Sequence, residues 1–79
     1  METFDRQSDM TAEEVLEKVY AALKAKGYDP VSQVVGYIMS GDPTYVTAYH
    51  GARNIITKVE REELLEEIMK EYEERGNER

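Results

Sequence analysis

The chain has 79 residues, 17 Asp and Glu against 10 Lys and Arg, and a formal net charge of -7. It has no Cys and a single His, His50, which excludes disulfides, thiolate metal sites and a His-rich metal centre. The acidity argues against nonspecific nucleic-acid binding, because that binding depends on cations that neutralise phosphates.

The N-terminal part is predicted to be a tail followed by one helix. Residues 1–10, METFDRQSDM, lack a periodic apolar pattern and are interpreted as a flexible tail. Thr11 and Glu14 fit a capping box. Apolar residues then follow at helical spacing, at Val15, Leu16, Val19, Tyr20 and Leu23. Gly27 stands where a left-handed C-terminal residue is expected, so the first helix is predicted over residues 12–26.

Two Asp-Pro pairs predict two further starts, because Asp is a good N-cap and Pro suits the first helical position. Asp29-Pro30 opens a helix predicted over residues 30–39. Its apolar stripe comprises Val31, Val34, Val35 and Ile38. Ser40-Gly41 ends it, and Asp42-Pro43 opens a short helix or turn at residue 43.

The C-terminal third carries two more apolar stripes. The first comprises Ala52, Ile55, Ile56 and Val59, and the second Leu64, Leu65, Ile68, Met69 and Tyr72. Thr57 and Glu60 resemble a second capping box, so a break there and a continuous helix both stay open. The last helix is predicted to end near Arg75-Gly76.

These patterns predict an all-α fold, a compact bundle of four or five short helices with a helix-turn-helix-like centre. The single helical domain spans residues 11–76, and residues 77–79 are a frayed C-terminus. A chain of this length buries only about 60% of its unfolded surface. Small cores of this kind are often supplemented by oligomerisation, so we expect a homodimer.

No catalytic residue, metal site or cofactor site is predicted. Glu62-Glu63 and Glu66-Glu67 read as a solvated helix face, with Lys70 four residues after Glu66. His50 has no Ser or Cys in a nucleophile context. The spacing of Gly36, Gly41 and Gly51 matches neither the dinucleotide fingerprint nor the P-loop. We therefore expect the protein not to be an enzyme.

Gly36 lies inside an apolar helix, which predicts close backbone approach by another helix, including one across a dimer interface. Tyr37 and Tyr45 are assigned with it to dimer or core packing. An alternative function is a small DNA-binding regulator that uses residues 30–59 as a helix-turn-helix. Arg53 and Lys58 are the only cations of that range, so nucleic acid is not the expected partner.

The N-terminus lacks the basic and apolar regions of a signal peptide, and no apolar run approaches the roughly 20 residues that span a bilayer. The expected location is the cytoplasm, without membrane contact. Thr3 lies in the tail between Glu2 and Asp5. Phosphorylation there would add about -1.5 to -2 charge, which suits regulation.

Residues 26–68, KGYDPVSQVVGYIMSGDPTYVTAYHGARNIITKVEREELLEEI, resemble the IreB family of small regulatory phosphoproteins. The resemblance rests on matching residues including Lys26-Gly27-Tyr28, Gln33, Val35-Gly36-Tyr37, Ser40-Gly41-Asp42-Pro43, Tyr45, Ala52-Arg53, Lys58 and Glu60-Arg61. It implies a helical, non-enzymatic homodimer. It also implies a substrate of membrane-anchored Ser/Thr kinases with extracellular PASTA repeats, and of their partner phosphatase.

The resemblance further implies a phosphate acceptor near the N-terminus, here Thr3, and a partner-binding surface that includes Arg53, Lys58 and Arg61. The implied output is control of peptidoglycan synthesis, in some members through Clp-dependent proteolysis of an early enzyme of that route. The chain departs from the family pattern in its shorter tail. It also has Ala48 and Thr57 where members often carry Arg.

Overall fold

A computed structural model describes residues 10–77 of the chain. The predicted tail up to residue 9, with Thr3, and residues 78–79 lie outside the described residues. Four α-helices form the described part: α1 (Ala12–Ala25), α2 (Pro30–Ser40), α3 (Ala52–Ile56) and α4 (Arg61–Asn77). Two 3-10 turns, Pro43–Tyr45 and Tyr49–Gly51, lie between α2 and α3. Residues 10–77 contain no strand, so the prediction of an all-α fold is confirmed.

The start of α1 is the predicted capping box. The Glu14 N–H donates to the Thr11 hydroxyl and the Thr11 N–H donates to the Glu14 carboxylate, both at 3.1 Å. After the helix, Gly27 has a φ of +86°, a left-handed conformation that costs glycine little. Local sequence signals therefore place both ends of α1 to within one residue.

The core forms around α1, which packs against α2, α3 and α4. Its buried side chains are Val15, Leu16, Val19, Ala22 and Leu23. The central segment, defined as residues 41–51 between α2 and α3, and the other helices complete the core with Val34, Tyr37, Val46, Ala52, Ile56 and Leu64. None of the core side chains is charged, so packing of apolar surface holds the helices together.

The corner after α2 combines a stop signal with a start signal. Gly41 has a φ of +76° and ends the helix. Asp42 then accepts hydrogen bonds from the Thr44 N–H at 3.0 Å and the Thr44 hydroxyl at 2.7 Å. These bonds, with a smaller contribution from Arg53, lower the pKa of Asp42. The second Asp-Pro pair therefore starts a single 3-10 turn.

The chain breaks between α3 and α4, which settles the alternative left open by the sequence. The predicted pairing at the break is wrong, however. The Thr57 hydroxyl donates to the Asn54 carbonyl at 2.7 Å, at the end of α3. The Glu60 N–H donates to the Glu63 carboxylate at 3.2 Å and precedes α4. The capping carboxylate of α4 is therefore that of Glu63.

At Gly36, α2 lies in close contact with the side chain of Tyr45 in the central segment. A Cβ atom on Gly36 would lie 2.5 Å from Cε1 and 2.6 Å from Cδ1 of Tyr45. The Gln33 side-chain amide donates to the Tyr45 carbonyl at 2.7 Å, which fixes the tyrosine backbone over the helix. The neighbour of Gly36 in the described chain is thus a ring of the same molecule, while Tyr37 is 6% exposed and belongs to the core.

We predict that Gly36→Ala lowers the free energy of unfolding by about 1 kcal/mol in urea denaturation. Overpacking against Tyr45 costs about 1–3 kcal/mol. This cost exceeds the roughly 1 kcal/mol by which alanine is favoured over glycine inside a helix.

The control is the same substitution in a Tyr45→Ala background. Without the ring, Gly36→Ala should stabilise the protein by about 0.5–1 kcal/mol, because only the helix preference remains. A stabilisation of the same size in both backgrounds would contradict the contact.

Candidate functional site

The three cations predicted to bind a partner lie on α3, on the turn after it and on the first residue of α4. Lys58 and Arg61 line one cavity of about 340 Å³, here called the Arg61 cleft. Its other lining residues are Tyr37, Thr57, Val59, Glu60 and Glu63. Arg53 is not among the lining residues. The structure therefore brings two of the three cations together at one opening.

Arg61 is held in place by the end of α2. Its Nη1 donates to the Ile38 carbonyl at 2.9 Å, one of the carbonyls that lack a partner within the last turn of a helix. The guanidinium also lies against Gly41, where a Cβ would be 2.9 Å from Nη1. A cation at a helix C-terminus is favoured by the helix dipole. Arg61 therefore joins two helices as well as lining the cleft.

Arg53 has a comparable structural contact. Its Nε donates to the Val46 carbonyl at 2.8 Å, and Val46 itself is fully buried. The bond crosses from α3 to the segment that follows the first 3-10 turn. The half-buried arginine thus ties the central segment to the core.

Lys58 differs from the two arginines because it lies exposed on the turn between α3 and α4. Arg61 uses one of five guanidinium donors on Ile38, so the cleft offers an oriented guanidinium and an exposed ammonium. Such a pair suits a carboxylate or phosphate of a partner. The two glutamates of the lining, Glu60 and Glu63, balance the formal charge of the two cations.

A second cavity, of about 420 Å³, adjoins the point where the described chain begins. It is lined by Met10, Thr11, Ala12, Glu63, Glu66, Glu67 and Lys70. Glu63 lines both this cavity and the Arg61 cleft, so the two openings are neighbours. Glu63, Glu66 and Glu67, here called the acidic wall, therefore share a cavity with the first described residue, and Glu63 also lines the cleft.

Acid crowding continues along α4. The pKa of Glu71 is raised, first by partial burial and then by Glu67. The pKa of Tyr20 on α1 is raised by burial and by the negative charge of Glu71. The negative charge of Glu71 is therefore felt by a residue of α1.

Sequence reasoning missed an apolar surface on the outer side of α2. Val31, Val35 and Met39 are 50%, 41% and 80% exposed. Their spacing of four residues places them on one side of the helix. Val31 and Val35 had been assigned to one stripe with the buried Val34. The signal in the sequence was Met39. Together with Val31 and Val35 it forms a second apolar stripe, which cannot face the core at the same time as Val34.

A similar exposed stripe lies on α4, formed by Leu65, Met69 and Tyr72. Neither stripe contains Gly36, Tyr37 or Tyr45, the residues assigned to dimer or core packing. The described chain therefore presents two apolar surfaces that its own core does not cover.

Three findings bear on other functions. Residues 10–77 contain no cluster of three His, Cys, Asp or Glu side chains that would hold a metal ion. Within the same range, each helix is too short or too polar to cross a membrane. Residues 41–51 separate α2 from the five-residue α3, whereas a helix-turn-helix uses a turn of three or four residues. The helix-turn-helix-like centre is thus not shown.

Comparison with known proteins gives two findings. The family model described as IreB regulatory phosphoprotein matches residues 1–74. A protein of Ruminiclostridium cellulolyticum named "UPF0297 protein" is 53% identical over 73 residues, which cover 92% of this chain and 83% of that protein. Both matches include Arg53, Lys58 and Arg61.

We predict that Arg61→Gln lowers the free energy of unfolding by about 1 kcal/mol, because it removes a charge-assisted hydrogen bond at the end of α2. The matched variant Lys58→Gln removes the same charge from the exposed turn and should change stability by less than about 0.5 kcal/mol. Thermal denaturation at neutral pH measures both. Equal losses would show that Arg61 contributes only its charge.

Proposed function

The chain belongs to the IreB family of regulatory phosphoproteins, and we propose on that basis that it is a non-enzymatic phosphorylation switch. Its phosphate acceptor is Thr3, its kinase is of the PASTA-repeat Ser/Thr type, and a cognate phosphatase reverses the reaction. The observation that carries the proposal is the family match over residues 1–74, which includes both Thr3 and the central cations.

The proposed output is control of peptidoglycan synthesis through a bound protein partner in the cytoplasm. In this proposal the partner contacts the surface formed by Arg53, Lys58 and Arg61. Binding regulates Clp-dependent proteolysis of an early enzyme of peptidoglycan synthesis. The oriented guanidinium and exposed lysine of the Arg61 cleft support recognition of an acidic partner surface.

Electrostatics suggests how Thr3 affects that surface. Thr3 lies seven positions before Met10, a distance of at most about 25 Å along the chain. The chain enters the described part beside the acidic wall, which adjoins the Arg61 cleft. A phosphate adds about -1.5 to -2 charge and is repelled by those glutamates. Phosphorylation therefore changes where the N-terminal segment lies relative to the cleft.

We also propose that the protein is a homodimer that pairs through the outer side of α2. Val31, Val35 and Met39 form an apolar stripe that a two-fold axis would pair with its own copy. Burial of this stripe would supplement the small core, to which α1 contributes five of the eleven buried side chains.

We predict that Thr3→Ala abolishes phosphate incorporation when the full chain is incubated with its cognate kinase. The matched control is Ser8→Ala, which removes the other hydroxyl of residues 1–9 and should leave incorporation unchanged. Radiolabel counting and intact-mass measurement give the readout. Undiminished labelling of Thr3→Ala would refute the site.

We predict that Met39→Glu converts the dimer into a monomer, because it places a charge within the proposed apolar interface. Size-exclusion chromatography with light scattering measures the mass. Leu65→Glu is the control, since it makes the same chemical change on the exposed stripe of α4 and should leave the dimer intact. A parent chain of monomeric mass, or dissociation only by Leu65→Glu, would refute pairing through α2.

A further inference from the structure

A groove on α1 is not accounted for by the Arg61 cleft or by the stripe of α2. This α1 groove has a volume of about 340 Å³. On the helix side it is lined by Lys18, Ala21 and Ala25, and opposite them stand Tyr49, His50 and Ile55. The alanines keep the floor shallow and apolar, so the groove has room for a side chain from elsewhere.

The wall opposite α1 is built with unusual backbone geometry. His50 has a φ of +53° and a ψ of +28°. This is a left-handed backbone conformation that residues other than glycine rarely adopt. This conformation places the imidazole against the Tyr49 ring, with centroids 4.1 Å apart. Strained backbone of this kind persists where the surrounding structure holds it and often marks a ligand contact.

The edge of the α1 groove is positively charged, although the whole chain is acidic. Lys18 lines the opening, and the Lys26 ammonium lies 5.1 Å from the centre of the Tyr49 ring. No Asp or Glu is among the lining residues. An apolar floor with cations at its edge fits a bulky apolar side chain that is flanked by acids.

The N-terminal segment contains such a sequence. Glu2, Thr3, Phe4 and Asp5 place the one Phe of the chain between two acids. We propose that residues 2–5 of the same chain occupy the α1 groove, with Phe4 on the alanine floor and the acids toward Lys18 and Lys26.

The length and direction of the chain permit this docking. Phe4 lies six positions before Met10, a distance of about 20 Å along an extended chain. Lys18 lies about 9 Å and Ala25 about 20 Å along the axis from the first residue of α1. Lys18 and Ala25 are seven residues apart, so they lie on one side of the helix. The segment is therefore long enough to reach the groove from the first residue of α1.

Docking bears on the proposed switch. Thr3 in this arrangement lies beside the cations of the groove, so a phosphate on Thr3 strengthens the docking. The glutamates of the acidic wall repel the same phosphate, which also favours the groove. This regulatory consequence rests on the proposed function. The docking itself concerns the unmodified segment and needs no kinase.

A photo-crosslink tests the docking in the full chain. Phe4 is replaced by p-benzoylphenylalanine, the sample is irradiated, and the linked peptides are identified by mass spectrometry. We expect links to residues 18–25 and 49–55. Links only to the outer side of α2 or to α4, or none within the chain, would overturn the proposal.

Two matched variants test the role of charge. Lys18→Gln should lower the crosslink yield several-fold, because it removes a cation from the groove. Lys24→Gln removes the same charge from an exposed α1 position outside the groove lining and should leave the yield unchanged. Equal yields in the two variants would refute the assigned charge contact.

The remaining arms separate other occupants from the proposed one. A mixture of nitrogen-14 and nitrogen-15 chains gives links of mixed isotope if the segment of a second copy fills the groove, and that result would refute docking within one chain. Chemically introduced phosphothreonine at position 3 should raise the yield. A fall in yield would refute the regulatory consequence whether or not the kinase uses Thr3.

Discussion

Burial of the apolar side of α1 is the interaction on which the other elements depend. Five of the eleven buried apolar residues lie on this helix, and α2, α3 and α4 all pack against it. α3 is only five residues long, and a helix of that length is unstable without tertiary packing. Ala52 and Ile56 therefore hold α3 in place through contacts that α1 supplies. The positions of the central segment and of the three cations Arg53, Lys58 and Arg61 therefore depend on this packing.

The second constraint is that backbone carbonyls in and near the central segment accept hydrogen bonds from side chains. Gln33 donates to the Tyr45 carbonyl, Arg53 to the Val46 carbonyl and Arg61 to the Ile38 carbonyl. Each bond joins two different elements of the fold, so these side chains connect the helices around the central segment. The central segment contains one acid, Asp42. Its Tyr45 and Val46 carbonyls accept hydrogen bonds from a glutamine and an arginine of the neighbouring helices.

The parts of this fold that sequence could predict are those fixed by neighbouring residues. The Thr11–Glu14 capping box, the left-handed Gly27 and Gly41, and the Asp42-Pro43 start act within a few residues, so their patterns are visible in the chain. The contact of Gly36 with Tyr45 and the bond from Arg61 to Ile38 are set by packing. Gly36 indicated a close approach by another helix, whereas its neighbour in the described residues is the ring of Tyr45. Nothing local marks Arg61 as a partner of α2. The α1 groove was missed for the same reason, because its two walls lie far apart in sequence.

The hydrogen bonds that Arg53 and Arg61 make within the fold also affect how these cations could contact a partner. Arg53 and Arg61 each spend a donor on the fold, so their guanidinia are oriented in the free protein and a partner need not order them. Lys58 is exposed, so a contact with the proposed partner would carry the entropy cost of fixing a long side chain. If the proposed surface binds a partner, substitution of either arginine would affect folding and recognition together, whereas substitution of Lys58 would affect recognition alone. For this reason Lys58 is the residue whose replacement tests the proposed partner binding most directly.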